Sequence, residues 1–344
     1  MSIIPTTVPT GAIRYNTDSN KMECFNGTKW YQVSVSSPDL DGGARGVFGG
    51  GYGASPYPNM NTIDYITIST AGNAADFGDL TAGRSAKNAG ASNTRGVFQG
   101  GRFSPSSNGY NTIDYITFSS TGNATNFGDM TARNPAKQGV SNQTRGVFAG
   151  GYTQPGGSYV GTIDYITIAS TGDANDFGDM PVTNRVYGSC GSSSTRGIWS
   201  GGQGPGGYYS DIYFKEIASL GDAQEFGDLT LAKGNNYGSM TSSTRVVFQG
   251  GTIGPSPGTT QMDYITTATK GNATKFGDQS FGNQACAGVS SPVRGVLFTG
   301  SADGALKNVL EYITIATQGD SVDFGDLVAS HRHYGALSNA HGGL

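Results

Sequence analysis

Three kinds of side chain in this sequence have types and spacings that bear on chemistry: histidines, acids outside any pattern, and tyrosines grouped in loops. All three histidines lie in the last fourteen residues, and only His331 and His333 are near neighbours. Glycoside hydrolysis requires two carboxylates facing one cleft, and the unpatterned acids Asp39, Glu216, Asp303 and Glu311 form no evident pair. Cys24, Cys190 and Cys286 are odd in number, far apart, and free of C-x-x-C or Cys/His ligand spacing. Neither a disulfide framework nor a zinc site is expected of them, and they read as small buried hydrophobes. No catalytic residue, metal or cofactor is assigned, and a non-enzymatic protein is expected.

Recognition has better candidates. Tyr52, Tyr57, Tyr110, Tyr152, Tyr159, Tyr208 and Tyr209 stand in segments such as "YGASPYPNM", "RFSPSSNGY", "YTQPGGSYV" and "QGPGGYYS". Tyrosine, serine, glycine and proline make up a palette suited to adaptable binding loops. The tyrosine rings are of a kind to stack on sugar rings, helped by Arg102, and His331, Arg332 and His333 are expected on the same face. These eleven residues are the candidate ligand-binding set.

The elements that must carry these loops repeat. An arginine opening an apolar run recurs at Arg45, Arg95, Arg145, Arg196, Arg245 and Arg294, and Phe-Gly-Asp begins at Phe77, Phe127, Phe177, Phe226, Phe276 and Phe324. Both series step by 48–51 residues. Each unit reads as short strands: "RGVFQGG" stopped by paired glycines, "NTIDYITIST" rich in β-branched residues, and "TGNATNFGDM" as a turn and strand. A stretch such as "RSAKNAGASN" supplies the first strand of the following unit. Four strands per unit at this period predicts a β-propeller blade. The 56 glycines suit tight turns, while 18 tyrosines and 16 phenylalanines supply a core.

The paired glycines, variable loop and aromatic-centred strand resemble the kelch repeat. The glycines run from Gly50–Gly51 to Gly250–Gly251, with Gly300–Ser301 in the sixth copy. The aromatics are Tyr65, Tyr115, Tyr165, Phe214, Tyr264 and Tyr312. The tryptophan that kelch repeats carry after that aromatic is replaced by the phenylalanine of Phe-Gly-Asp. The fold class expected is all-β: a six-bladed kelch-like propeller. The first unit lacks a first strand, and the tail "RHYGALSNAHGG" matches the first-strand segment of other units, so residues 332–340 are expected to complete it. Closure of this kind removes unpaired edges. Each arginine is expected to pair with an aspartate of its own or an adjacent blade. On a kelch-like scaffold a copper oxidase needs a histidine pair set among tyrosines, and sialidase-like propellers carry S-x-D-x-G-x-x-W boxes. The sequence meets neither requirement.

Residues 1–38 are set apart as a small β module, with the propeller over 39–344. "AIRYNTD", "KMECFNG" and "KWYQV" predict three strands with turns at Asp18–Asn20 and Asn26–Gly27. So small a sheet needs company: a partner, the propeller, or copies of itself, such as a homotrimer. The run Gly11, Ile13–Asp18, Asn20, Lys21, Glu23, Phe25–Gly27 and Trp30 resembles a short module of tail-fibre and other structural proteins of tailed bacteriophages. The long repeat is similar to arrays in virion proteins of phages that infect marine cyanobacteria. The resemblance implies a virion component assembled in the host cytoplasm, its front module bound to other tail or capsid proteins. The implied function is a tail-fibre or receptor-binding protein recognising host-surface polysaccharide or lipopolysaccharide. The alternative is a structural piece, a capsid decoration or a tail or baseplate adaptor, that does not bind the host.

Net charge is −4, with no basic run, so no nucleic-acid partner is expected. No apolar run approaches the ~18 residues of a membrane span, and "MSIIPTTVPTG" has no signal-peptide pattern. No membrane insertion is expected.

Overall fold

The computed structural model describes residues 8–17, 21–32, 44–53, 59–85, 88–102, 109–183, 186–254, 258–302 and 305–344. Among them all regular structure is strand. Two compact units divide the chain, Met1–Leu40 and Asp41–Leu344.

The first unit is a three-stranded antiparallel sheet of Ile13–Asn16, Lys21–Phe25 and Trp30–Gln32. The Asn26 side-chain oxygen accepts the amides of Thr28 and Lys29, closing the second turn. The expected Asp18–Asn20 turn lies outside the described residues. On one face Arg14 pairs with Glu23 at 2.7 Å and lies 4.2 Å over the Trp30 ring. On the other, Ile13, Tyr15, Met22 and Tyr31 are exposed.

The second unit holds six four-stranded antiparallel sheets among the described residues. Sheet two, the pattern for the rest, runs Asn88–Ala91, Arg95–Arg102, Gly109–Thr117, Thr125–Asp129. Sheets three to six begin their second strands at Arg145, Arg196, Arg245 and Arg294. In sheet one the first strand is Gly335–Ser338, paired with Arg45–Gly49 in the register Leu337 to Val47. Both faces of each third strand are buried: Ile63, Asp64 and Ile66 are all at most 4% exposed. The hydrophobic clusters explain this, because each straddles two successive sheets. Phe148 and Ile166 of sheet three pack on Val97 and Phe127 of sheet two, and Phe48 and Ile66 of sheet one pack on Val296 and Phe298 of sheet six. This all-β architecture is consistent with a β-propeller-like fold.

The repeated motifs serve these junctions, though not through the expected ion pairs. Arg145 lies 5.0 Å over the Tyr165 ring, which meets Phe177 edge-on at 5.8 Å. Its guanidinium then donates to the main-chain oxygens of Ile217 and Ala218 in sheet four, at 3.0 and 2.9 Å. Arg294 does the same from sheet six to Ile68 and Ser69 of sheet one. The arginine–aspartate pairing is therefore corrected. Among the described residues only Arg196 of this series also meets an acid, Glu216, and the acceptors are otherwise carbonyls. A planar fork with several donors suits carbonyls that the neighbouring turn leaves without partners.

Phe-Gly-Asp acts through its backbone. Phe127 O accepts the Gly172 amide, and Asp129 N donates to the Asp173 carboxylate in sheet three. At Gly128, with φ near 154°, a Cβ would fall on the Gly172 carbonyl, so only glycine allows the approach. The same contacts join Phe324 to Gly72 and Asp326 to Asn73.

Past the last strand, residues 339–344 contact the first strands of several sheets. His341 Nδ1 accepts the Gly343 amide at 3.0 Å, which places the proton on Nε2, 3.1 Å from both Ser141 Oγ and Ala91 O. Gly342 N donates to Thr241 Oγ1 at 2.9 Å.

Candidate functional site

Strand direction places two kinds of loop at one end of the second unit. Second strands run from their arginine to their glycine pair, so the loops that follow, and the connections between sheets, both gather at the glycine end. Their roots are tied together: Gly51 N donates to Arg84 O, and Tyr52 and Arg332 exchange main-chain bonds.

One large hollow opens at this end, about 620 Å³ in volume. Arg102, Tyr152, Tyr159, Val186 and Tyr187 line it, with the turn Gln154, Pro155, Gly156 and Gly157 as a further wall. Each lining group has a structural source. Arg102 ends the long second strand of sheet two, fixed by its pairing with Gly109 and by Ser85 N donating to Arg102 O at 3.1 Å. Tyr152 and Tyr159 face each other across a β-bridge at the root of their loop. Tyr187 belongs to the connection into sheet four and has φ near 63°. Burial, with Tyr152 as neighbour, raises its hydroxyl pKa, so it stays a neutral donor and acceptor. The volume falls in the roughly 300–1,000 Å³ range of small-molecule sites. Further pockets among the described residues, of about 60, 10 and 50 Å³, are large enough only for one or a few waters.

A row of edge-to-face rings leads away from the hollow. Tyr152 meets Tyr187 at 6.3 Å, Tyr187 meets Tyr237 at 5.7 Å, Tyr237 meets His333 at 5.6 Å and His333 meets Tyr52 at 5.5 Å. Such contacts are worth about 0.5–1.5 kcal/mol each beyond area burial, so the row is a stiff aromatic surface.

No protein-family model and no curated protein matches the chain.

Of the eleven candidate residues, Arg102, Tyr152 and Tyr159 meet in the hollow, while Tyr52 and His333 stand at the far end of the row. The others lie elsewhere. Tyr110 stands with its ring 5.9 Å from the Arg84 guanidinium. Tyr208 pairs with Gln203 in a short hairpin, and the Tyr209 hydroxyl accepts the Gly206 amide at 3.2 Å. His331 is 5% exposed and bonded to the Tyr334 hydroxyl. Arg332 is half-buried, its backbone paired with Tyr52, and Tyr57 lies outside the described residues. Tyr187 and Tyr237 were not in the set, whose tyrosines were drawn from the loops after second strands and whose only connection residues were His331, Arg332 and His333. Tyr187 falls where other units have Ala136, Asn235, Ala285 and His333, all at positive φ, a feature that the sequence does not display. Among the described residues no group of three or more His, Cys, Asp and Glu is placed to hold a metal ion.

Proposed function

We propose that the six sheets are blades of a closed, kelch-like β-propeller, and that its glycine end binds carbohydrate in a virion component of a tailed bacteriophage. What supports closure is that sheet six reaches sheet one through the same arginine and Phe-Gly-Asp contacts that join the others. The observation that carries the binding reading is the hollow in which tyrosine rings and an arginine converge. A sugar presents an apolar C–H face to such rings and hydroxyls to Tyr187 and Gln154. Host-surface polysaccharide or lipopolysaccharide is the ligand class, and adsorption to the host the role. The small front sheet attaches to other virion proteins through its exposed Ile13, Tyr15, Met22 and Tyr31 face.

Binding to immobilised bacterial surface glycans tests this. Tyr152→Ala and Tyr159→Ala should each weaken binding about three- to tenfold, the loss of one stacked ring. Unchanged binding in both, or no glycan binding while phage particles carrying the protein adsorb normally, refutes the role. Ile13→Lys with Tyr15→Lys should prevent incorporation into particles without altering glycan binding.

A further inference from the structure

Resting on that carbohydrate reading, we infer that the sugar seated in the hollow is acidic, with an anionic substituent held by Arg102. Among the described residues, Arg102 is the one charged residue lining the hollow. It is exposed, and among the described residues its guanidinium makes no ion pair and no side-chain hydrogen bond. Its main chain is fixed at the end of a strand, so the side chain is presented from a rigid base.

The sequence around the hollow offers that charge few acids. The segments that follow Arg102 and precede Val186 in sequence, "FSPSSN" and "NR", contain no acid, nor does the hollow's own wall, "TQPGGS". The same bias extends around the glycine end. Of the six loops after second strands only "SADGALKN" contains an acidic residue, and the six connections between sheets, from "LTAGRSAK" to "LVASHRHY", contain none. Three cations of those connections, Arg84, Lys137 and Lys233, are neutralised by the buried Asp114, Asp164 and Asp263. Among the described residues Arg102 has no such partner. The repeated aspartates that end the outer strands, Asp129 and Asp179 nearest in sequence, are not among the lining residues. For a chain of net charge −4, an end whose loops and connections hold a single acid and present an exposed guanidinium is complementary to an anion. A planar guanidinium takes a carboxylate or phosphate through two parallel bonds. Tyr152 or Tyr159 then packs on the ring of the same sugar.

The probes are oligogalacturonate, the same oligomer fully methyl-esterified, and a phosphorylated dextran oligomer, titrated into the full chain by calorimetry. Oligogalacturonate or the phosphorylated oligomer should bind at least about tenfold more tightly than the neutral ester, as a charge-assisted pair provides. The better of the two identifies the anion, and its advantage should shrink with added salt and vanish in Arg102→Gln. Equal binding of acid and ester, both sensitive to Tyr152→Ala, overturns the acidic inference and leaves the carbohydrate reading intact. Anion binding unchanged in Arg102→Gln overturns it as well, since the charge is then met elsewhere. If none of the three binds but a neutral surface glycan does, the inference again falls alone. If no glycan of any kind binds, both fall.

Discussion

Asp64→Asn should stabilise the protein at neutral pH and leave it nearly unchanged in acid. Four other sheets bury an acid at the same point of the third strand, three met by an alcohol and the fourth by a main-chain amide from the preceding sheet's outgoing turn. Thr81 reaches Asp114, Thr131 reaches Asp164, Thr230 reaches Asp263 and Ser280 N reaches Glu311. Three of these acids also have a buried cation. Where sheet six meets sheet one that turn residue is Val328, which offers its amide and has no alcohol, and the position of Arg84 and Lys233 holds His331, turned to Tyr334. Asp64 is 4% exposed and has no ion pair among the described residues. Burial first, then the nearby Asp76 charge, raise its pKa from 3.8 to about 6.

Because the folded value lies above the unfolded one, the penalty is absent below pH 3.8, grows as pH rises, and is complete once pH passes 6. At 1.36 kcal/mol per pH unit the ceiling is about 3 kcal/mol, which water penetration reduces to about 1–3. Urea unfolding between pH 4 and pH 8, followed by fluorescence of the buried Trp199, measures it. The advantage of the Asn variant over the parent should widen by about 1–3 kcal/mol across that range. Val328→Thr should narrow the advantage by giving the carboxylate a second donor. A difference between variant and parent that is flat to within about 0.5 kcal/mol refutes the reasoning, and one that shrinks with rising pH implies a cation beside Asp64.

Asp114→Ala leaves the Arg84 guanidinium buried beside the 2.8 Å partner it has lost, and should cost about 3–5 kcal/mol, seen as a clear fall in Tm. Replacing both residues with apolar ones of similar volume should recover most of that loss. Arg145→Ala removes two carbonyl bonds to sheet four and the stack on Tyr165, and about 2–3 kcal/mol is expected from urea unfolding. Burial lowers the His341 pKa from 6.5 to about 4, so its contribution is present above pH 6.5 and lost as pH falls through 4. His341→Gln should flatten that part of the stability profile, checked by thermal unfolding between pH 3.5 and pH 7.

The repeat was legible because it is built from backbone demands that only certain residues meet. Glycine in Phe-Gly-Asp and the aromatic of the third strand recur since every junction needs the same close approach and the same ring contact. Strand positions and the pairing of residues near 335 with those near 47 followed from matching copies. The arginine's partner did not follow. Charge suggests an aspartate, but a strand-end arginine finds the next sheet's turn carbonyls, and sequence does not display carbonyls. Loop tyrosines were visible as a set, yet their grouping depends on neighbours in space. Tyr209 turns into its own hairpin, whereas Tyr152 finds Tyr187 in a connection that sequence places in another unit.

The division between the two kinds of position has an energetic cause. Contacts that join sheet to sheet run through main-chain atoms and repeated residues, and the glycine pair pins each loop at its root. A Cβ at Gly151 would stand 2.8 Å from Pro135 O, so that root is held by the previous connection whatever the loop tip contains. Beyond it, residues such as Gly156 and Gly157 are exposed and contribute little to the core. Substitution at the tips therefore changes the lining of the hollow at small cost to the packing of the sheets. Substitution at Arg145 or Gly128 weakens a junction that the other five cannot replace, because each cluster belongs to its own pair of sheets. Repetition secures the framework, and the loops are then free to differ among the copies, as the proposed binding role requires.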